Sequence, residues 1–143
     1  MIVPDANLLI YAHNEADPEH EAAKRWWFGL LSGQERVGIP LAVAMAFLRL
    51  TTSPRVLEAP LEVERSIEII ESWFPHPHVR LLLYSEDHLE AFLAEVGRVG
   101  VAGNLTTDAH IAALAREYRA TVHSTDSDFA RFDGLRWRNP LQD

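Results

Sequence analysis

The segment VHSTDSDFARF, residues 122–132, places two carboxylates, Asp126 and Asp128, between a β-branched run and a Phe-rich one. Two further aspartates stand where elements change: Asp5 directly after the apolar run MIVP, and Asp108 in the first turn of a helical pattern, TTDAHIAALAREY. Carboxylates held close together raise one another's pKa and are costly to bury without a partner. A hard divalent cation removes that cost, since Mg²⁺ and Mn²⁺ prefer oxygen ligands, and it can polarise a phosphodiester and help to generate a hydroxide nucleophile. The four aspartates therefore suggest a metal-assisted hydrolytic site.

These aspartates can meet only if the elements around them bring strand ends together. Short apolar runs alternate with helical patterns, which favours an α/β fold with a mostly parallel sheet between helices. Ligands of such sheets lie beyond the carboxyl ends of the strands, the edge that the aspartates would share. The predicted strands are MIVP, ERVGIP, VRLLLY and ATVHS, and the predicted helices are NLLIYAH, PEHEAAKRWWFGLLSG, LAVAMAFLRLTTSP, LEVERSIEIIESWF, SEDHLEAFLAEVGRVG and TTDAHIAALAREY.

Finer features are predicted within these elements. VRLLLY has the composition of a buried strand. Thr107 is the predicted cap of the helix that carries Asp108, and Ser85 begins an imperfect capping box. The fourth predicted helix is amphipathic, with an acidic back and an apolar face made of Val63, Ile67, Ile70 and Phe74.

Each aspartate also has a purely structural interpretation. Asp5 could cap the helix that follows it, and Asp108 in a helical first turn is favoured by the helix dipole alone. Asp126 and Asp128 could form an Asx turn. Spacing by itself leaves the metal-binding and the structural interpretations open.

The length and composition indicate one soluble globular domain, residues 1–143. The absence of cysteine excludes disulfides and thiolate chemistry. The N-terminal segment lacks the features of a signal peptide, and the longest apolar run, IPLAVAMAFL, is well short of the ~20 residues that span a bilayer. We therefore expect a cytoplasmic protein without a membrane segment. The net charge of −8 disfavours nucleic-acid binding by the whole surface, but the arginines of ARFDGLRWRNP leave a local contact open.

Four motifs in order carry more information than any one aspartate. They are V-x-D-A-N-L-L-I-Y-A at the N-terminus, F-L-R-L-T-T-S-P-R-V and T-D-A-H-I-A-A-L-A in the interior, and S-T-D-x-D-F-A-R-F near the C-terminus. Together, and at their usual spacing over essentially the whole chain, they resemble the PIN-domain nucleases, especially the VapC toxins of type II bacterial toxin–antitoxin pairs. The resemblance implies a PIN-like three-layer α/β/α sandwich with a central, mostly parallel sheet.

The resemblance also implies a set of site residues. The first-strand aspartate of the family matches Asp5, its helix-start aspartate matches Asp108, and the aspartate of its S-T-D motif matches Asp126. These three are the expected metal ligands. Asp128 matches a further acidic position that some members contribute, and it completes the expected catalytic set as a supporting ligand or a water-orienting base.

Three other residues are expected near the substrate or behind the metal ligands. Asn7 is either a helix-start residue or a hydrogen-bond donor to a metal-bound water. Thr125 offers a hydroxyl to a carboxylate or a phosphate, and Arg49 would neutralise RNA phosphates. Bound Mg²⁺ would itself reconcile the negative charge of the chain with a polyanionic substrate.

The activity that the resemblance implies is Mg²⁺- or Mn²⁺-dependent cleavage of RNA, commonly tRNA or ribosomal RNA. Members of the family usually form homodimers and are silenced by a VapB antitoxin, whose tail enters the active-site groove. We therefore expect an RNA substrate, a VapB-type partner and a second copy of the chain.

One departure from the family leaves a second hypothesis open. Many members have a glutamate just before the F-L-R motif, where this chain has Ala46, so the site has one carboxylate fewer. The alternative is a catalytically weak or inactive PIN scaffold that binds RNA or a partner. A metal-dependent phosphatase is disfavoured, because its D-x-D motif after the first strand is replaced here by Asp5-Ala-Asn7.

Overall fold

Short strands alternate with helices throughout the computed structural model, which describes residues 1–142. The strands are β1 (Ile2–Pro4), β2 (Val37–Pro40), β3 (Val79–Leu82), β4 (Thr121–His123) and β5 (Trp137–Arg138). The helices are α1 (Ala6–His13), α2 (His20–Ser32), α3 (Leu41–Thr51), α4 (Val63–Glu71), α5 (His88–Val99) and α6 (Thr106–Glu117). Two 3₁₀ turns, Gly103–Leu105 and Ser127–Arg131, precede α6 and follow β4. Asp143, the last residue of the predicted domain, lies outside the described residues.

The strands form one parallel sheet with β1 at its centre. Its order is β3-β2-β1-β4-β5. Ile2 of β1 lies opposite Val37 of β2, and Pro4 of β1 lies opposite His123 of β4. Because all the pairs are parallel, the carboxyl ends of the strands meet at one edge, where Asp5 follows β1. The predicted mostly parallel sheet is confirmed, and β5 adds a strand that the sequence pattern did not indicate.

Helices cover the sheet in two groups. In the first group α1 packs with α2 and α3, and α3 packs with α4. In the second group α5 packs with α6, which also contacts β4. The predicted three-layer α/β/α fold is confirmed. Aromatic rings fill the first helical group: the ring centroid of Trp73 lies 5.8 Å from that of Trp27 and 5.0 Å from that of Phe47, and all three side chains are fully buried. Within residues 1–142, no helix is both long and apolar enough to cross a membrane.

The prediction that VRLLLY forms a buried strand is confirmed for the strand, Val79–Leu82, and wrong for its length and for the burial of its middle residues. The strand ends at Leu82, and Arg80 and Leu81 within it are exposed. β3 is one of the two edge strands of the sheet, so it has a neighbour on only one side. Leu83 and Tyr84 lie beyond the end of the strand and are also exposed.

The predicted apolar face of α4 is also wrong in part. Val63 and Ile67 are exposed, whereas Ser66 and Ile69 are buried. The Ser66 hydroxyl lies 2.8 Å from the Thr51 hydroxyl in the contact between α3 and α4. This buried polar pair turns the helix so that a serine, and not the full set of aliphatic residues, faces the core.

Neither predicted helix cap is present. Thr107 lies inside the first turn of α6, which begins one residue earlier and has no side-chain cap. The 3₁₀ turn Gly103–Leu105 runs directly into this helix and supplies a backbone hydrogen bond, from the Thr106 N–H to the Gly103 carbonyl, in place of a cap. Ser85 does not cap α5, which begins at His88 after a turn that joins the His88 N–H to the Ser85 carbonyl.

A buried carboxylate joins α5 to α6. Glu95 is 2% exposed and accepts hydrogen bonds from the Arg116 guanidinium and, at 3.0 Å, from Arg98. We expect Glu95→Gln to lower the free energy of unfolding by roughly 1–3 kcal/mol in urea denaturation, because it weakens two charge-assisted hydrogen bonds in a buried setting. Glu68→Gln, which removes an exposed pair with Arg65, is the control and should cost less than about 0.5 kcal/mol. Equal losses from the two variants would contradict a special role for the buried carboxylate.

A buried histidine makes stability depend on pH. Burial, with a contribution from Arg138, lowers the pKa of His123 to about 4, and the neutral ring accepts a hydrogen bond from Trp26 Nε1 at 3.1 Å. Since the unfolded chain takes up this proton near pH 6.5, the contribution of His123 to stability is complete above that pH and is lost as pH falls toward 4. We expect the wild type to lose about 2 kcal/mol more than His123→Gln between pH 7 and pH 4.5 in urea unfolding. Parallel pH profiles would contradict this.

Candidate active site

Three of the four predicted aspartates converge beyond the carboxyl ends of β1 and β4. One carboxylate oxygen from each of Asp108, Asp126 and Asp128 lies within 4.8 Å of the other two. Asp108 projects from the first turn of α6 and is buried, whereas Asp126 and Asp128 belong to the loop and 3₁₀ turn after β4 and are half-buried. One Asp126 oxygen accepts a hydrogen bond from the Asp128 N–H at 2.8 Å, so the Asx turn and the carboxylate cluster are the same feature.

Asp5, the fourth predicted aspartate, lies beside this cluster and is tied by two hydrogen bonds. Its Oδ1 accepts from the Ala6 N–H and its Oδ2 accepts from the Ser124 hydroxyl, both at 2.7 Å. Asp5 is therefore the N-cap of α1, as its structural interpretation predicted. Asp5 is not one of the three aspartates whose oxygens lie within 4.8 Å of one another. Its charge nevertheless helps to raise the pKa of Asp108, and the charge of Asp126 helps to raise the pKa of Asp5.

Ser124 joins the separate parts of the site. Its fully buried hydroxyl donates to Asp5, accepts from the Asp126 N–H at 3.0 Å, and lies 3.3 Å from the Asn7 amide nitrogen. The same amide donates to the Thr125 hydroxyl at 2.8 Å. No role was predicted for Ser124, although it stands directly before Thr125 and Asp126 in the S-T-D motif. The available signal was a small hydroxyl residue at the end of a buried strand.

The electrostatics of the cluster favour uptake of a positive charge. Burial, followed by the charges of Asp5, Asp126 and Asp128, raises the pKa of Asp108 to about 7. Burial also raises the pKa of Asp5, although its hydrogen bonds from Ser124 and Ala6 oppose the rise. Carboxylates crowded in this way bind a proton or a cation at neutral pH.

An open cavity of about 1410 Å³ reaches from this edge of the sheet across the neighbouring helices. Asp5, Asn7 and Asp126 line it, and so does Arg49, which is exposed in the last turn of α3. Ala46 lies one turn earlier on α3, is half-buried and faces the same cavity. The cavity therefore brings the guanidinium of Arg49 and the carboxylate edge of the sheet into one groove.

The donors of the cluster fit a hard divalent cation. The donors are all oxygen atoms and come from three carboxylates. Among residues 1–142 they form the cluster in which at least three side chains able to bind a metal come close together. Mg²⁺ and Mn²⁺ take oxygen ligands of this kind and retain several waters. Histidine and cysteine, from which protein zinc sites are mainly built, are not part of this group.

Comparison with known proteins agrees with this geometry. A model of the PIN domain family matches residues 2–135. The chain belongs to the PIN domain family. Among its relatives, Ribonuclease VapC33 of Mycobacterium tuberculosis is 42% identical over the whole of both chains, and Ribonuclease VapC37 of the same organism is 40% identical over 98% of this chain and 97% of its own. The VapC-like PIN-domain ribonuclease that the four motifs suggested is thereby confirmed.

Solved structures show the same fold at low sequence identity. The crystal structure of VapC20 from Mycobacterium tuberculosis, a Sarcin-Ricin loop cleaving toxin, superimposes with a TM-score of 0.72 and 20% identity over 94% of this PIN domain and 96% of that chain. VapBC2 from Rickettsia felis, bound to a DNA fragment from its promoter, gives a TM-score of 0.67 and 19% identity over 97% and 98% of the two chains. Identities this low establish the shared architecture only.

Proposed function

We propose that this PIN domain is the toxin of a type II toxin–antitoxin pair and cleaves RNA with the help of Mg²⁺, Mn²⁺ being the alternative ion. The observation that carries the proposal is the convergence of Asp108, Asp126 and Asp128, with the pKa of Asp108 raised to about 7. Full-length relatives named as ribonucleases support the activity. The proposed unit is a single cytoplasmic domain, residues 1–143.

The proposed roles follow from the contacts of each residue. Asp108 and Asp126 would hold the cation, with Asp128 as a supporting ligand or a base that orients the attacking water. Asp5 would join them as a third ligand from beside the cluster, because each of its oxygens accepts one hydrogen bond and keeps a lone pair for the cation. When bound, the cation supplies polarisation of the scissile phosphodiester and lowers the pKa of a water.

Three further residues position the substrate or the loop in this proposal. Asn7 donates to Thr125 and so holds the loop after β4 against the start of α1. Because the Thr125 hydroxyl accepts that hydrogen bond, its own O–H can still donate one to a phosphate or a carboxylate oxygen. Arg49, exposed on the cavity wall, would pair with an RNA phosphate.

Two protein partners are part of the proposal. A VapB-type antitoxin would place its tail in the cavity, whose apolar lining includes Leu41 and the exposed Met45. A second copy of the chain would cover exposed leucines such as Leu89 and Leu93, which stand one turn apart on α5. Solved structures of VapBC pairs with this fold support the antitoxin.

Cleavage of a panel of tRNAs and ribosomal RNA fragments tests the function. The purified chain, freed of any partner, is incubated with Mg²⁺, with Mn²⁺ or with chelator, beside Asp108→Asn. We expect cuts that require the metal and fall by about a thousandfold in the variant, because metal-assisted chemistry supplies several kcal/mol. RNA binding without cleavage, unchanged by the substitution, would instead support the inactive scaffold, which Ala46 favours.

Ala46 offers a direct test of the missing carboxylate. Because this residue is half-buried and lines the cavity with Asp5 and Asp126, a longer acidic side chain would extend into the cavity that those two aspartates share. We expect Ala46→Glu to lower the Mg²⁺ concentration that gives half-maximal cleavage by roughly tenfold, since ligand charge sets affinity for hard cations. Ala46→Gln, of equal length and no charge, is the control. The same shift in both variants would show that charge is not the cause.

A further inference from the structure

Three rings form a cluster on the cavity wall that the proposed chemistry does not use. The ring centroid of Tyr84 lies 4.8 Å from that of His88 and 5.9 Å from that of His110, and the two histidine rings are 4.7 Å apart. His88 Nε2 lies within hydrogen-bond distance of His110 Nδ1, at 2.7 Å. All three residues line the cavity that also contains Asp5 and Asp126. The cluster is therefore part of the same groove as the carboxylates.

The position of Tyr84 is fixed although its ring is open to the cavity. The Tyr118 hydroxyl donates to the Leu83 carbonyl, and the turn after Tyr84 is closed by the bond from the His88 N–H to the Ser85 carbonyl at 3.1 Å. The Tyr84 ring packs on the buried His88 imidazole, yet the residue is 54% exposed. An exposed ring held in this way loses little conformational freedom when it meets a ligand.

His88 lowers the stability of the fold at a position where an apolar ring would not. Its Nδ1 is buried and, among the described residues, has no hydrogen-bond partner. An apolar ring at this position would support Tyr84 without an unsatisfied polar atom. The imidazole instead uses its other nitrogen to reach His110, which fixes the angle between the two rings beneath Tyr84.

The placement of Tyr84 matches that of the site residues. Tyr84 follows β3 as Asp5 follows β1, and β2 is the strand between them. Two strand spacings, about 10 Å, separate β3 from β1 at the carboxyl edge, and β4, which Asp126 follows, is one spacing further. Because Tyr84 and Asp126 line the same cavity, a single-stranded RNA whose phosphate reaches the aspartates would pass the ring with a nearby nucleotide.

We infer that Tyr84 is a base-stacking position for the RNA substrate, held in place by the His88–His110 pair. The inference rests on the proposed function for the identity of the ligand. Unpaired bases stack on exposed aromatic rings, and one such contact contributes about 1–3 kcal/mol with little dependence on sequence. Tyr84 is thus a positioning residue that sets the register of the strand.

Binding of a fluorescent RNA tests the inference without requiring cleavage. The probe is a short single-stranded oligoadenylate with 2-aminopurine at one position, moved along the strand, and the protein is the full chain carrying Asp108→Asn. We expect 2-aminopurine fluorescence to be quenched at one position, and Tyr84→Ala to abolish the quenching and weaken binding by roughly tenfold. Tyr84→Phe should retain both, because it keeps the ring. Phe28→Ala, which removes a ring of similar exposure outside the cavity, should change neither.

Failure of the inference is distinguishable from failure of the proposed function. Unchanged quenching and affinity in Tyr84→Ala, or equal losses in Tyr84→Phe, would overturn the inference even if the wild type cleaves RNA. A change from dimer to monomer in Tyr84→Ala, with affinity per chain unchanged, would assign the ring to a subunit contact and also overturn it. Tyr84-dependent quenching together with a wild type that cleaves no RNA would support the stacking position and reject the catalytic function. No binding of the probe by any form would overturn the inference, whereas the proposed function would still be decided by the cleavage of tRNAs and ribosomal RNA fragments.

Discussion

Asp108→Asn is expected to make the metal-free protein more stable at pH 8 by roughly 2–4 kcal/mol, although it removes a proposed metal ligand. The pKa of Asp108 is raised to about 7 in the folded protein, whereas the same carboxyl in the unfolded chain has a pKa near 3.8. Its contribution to stability is therefore complete below pH 4 and is lost as pH rises through 7. Asparagine carries no charge at any pH, so the variant avoids the repulsion from the other aspartates.

Chemical denaturation in chelator at pH 5 and at pH 8 measures this effect. The gain from Asp108→Asn should be clearly smaller at pH 5 than at pH 8, because the loss begins near pH 4, where the unfolded carboxyl ionises, and is complete only above pH 7. Added Mg²⁺ should stabilise the wild type and leave the variant nearly unchanged, because a ligand that binds only the folded state shifts unfolding by mass action. Asp87→Asn, an exposed aspartate without a side-chain cap bond, is the matched control and should show no such gain. A destabilised Asp108→Asn protein at pH 8 would contradict the electrostatic account.

Ser124→Ala is expected to impair the site without removing a carboxylate. The variant leaves Asp5 with one hydrogen bond fewer and deprives the Asp126 N–H of its acceptor. We expect a loss of about 1–3 kcal/mol in the free energy of unfolding and an increase of roughly 10–100-fold in the Mg²⁺ concentration needed for half-maximal cleavage. The bond from Ser124 also lowers the pKa of Asp5, so the pH at which activity rises should move upward.

The Mg²⁺ requirement and the pH profile separate positioning from a general loss of stability. Ser127→Ala removes an exposed hydroxyl from the same loop and should change neither quantity. Ser124→Ala activity that falls uniformly at all Mg²⁺ concentrations and all pH values would assign the residue a structural role only.

Particular residues show why the aspartates could be predicted and their supports could not. Asp5, Asp108 and Asp126 stand at strand ends and a helix start, and parallel topology brings such positions to one edge. Ser124 and Tyr84 acquire their roles from partners far away in the chain, since the serine contacts Asp5 across the β1–β4 pair and the tyrosine packs on His88. Local patterns contain no signal for those contacts.

The wrong predictions about secondary structure have a similar cause. VRLLLY is as apolar as a buried strand, but its place at the edge of the sheet depends on the order in which the other strands assemble. The rotation of α4 depends on the Thr51–Ser66 contact, which a hydrophobic periodicity cannot include. Composition and period thus predicted which elements form, and tertiary contacts determined which faces are buried.

Anomalous diffraction from crystals grown with Mn²⁺ tests the central claim most directly. The account predicts a peak among the carboxylates of Asp108, Asp126 and Asp128, present in the wild type and absent from Asp108→Asn crystals of the same form. A peak at another position, or an occupied cluster that persists in the variant, would contradict the assignment of these aspartates as the metal centre.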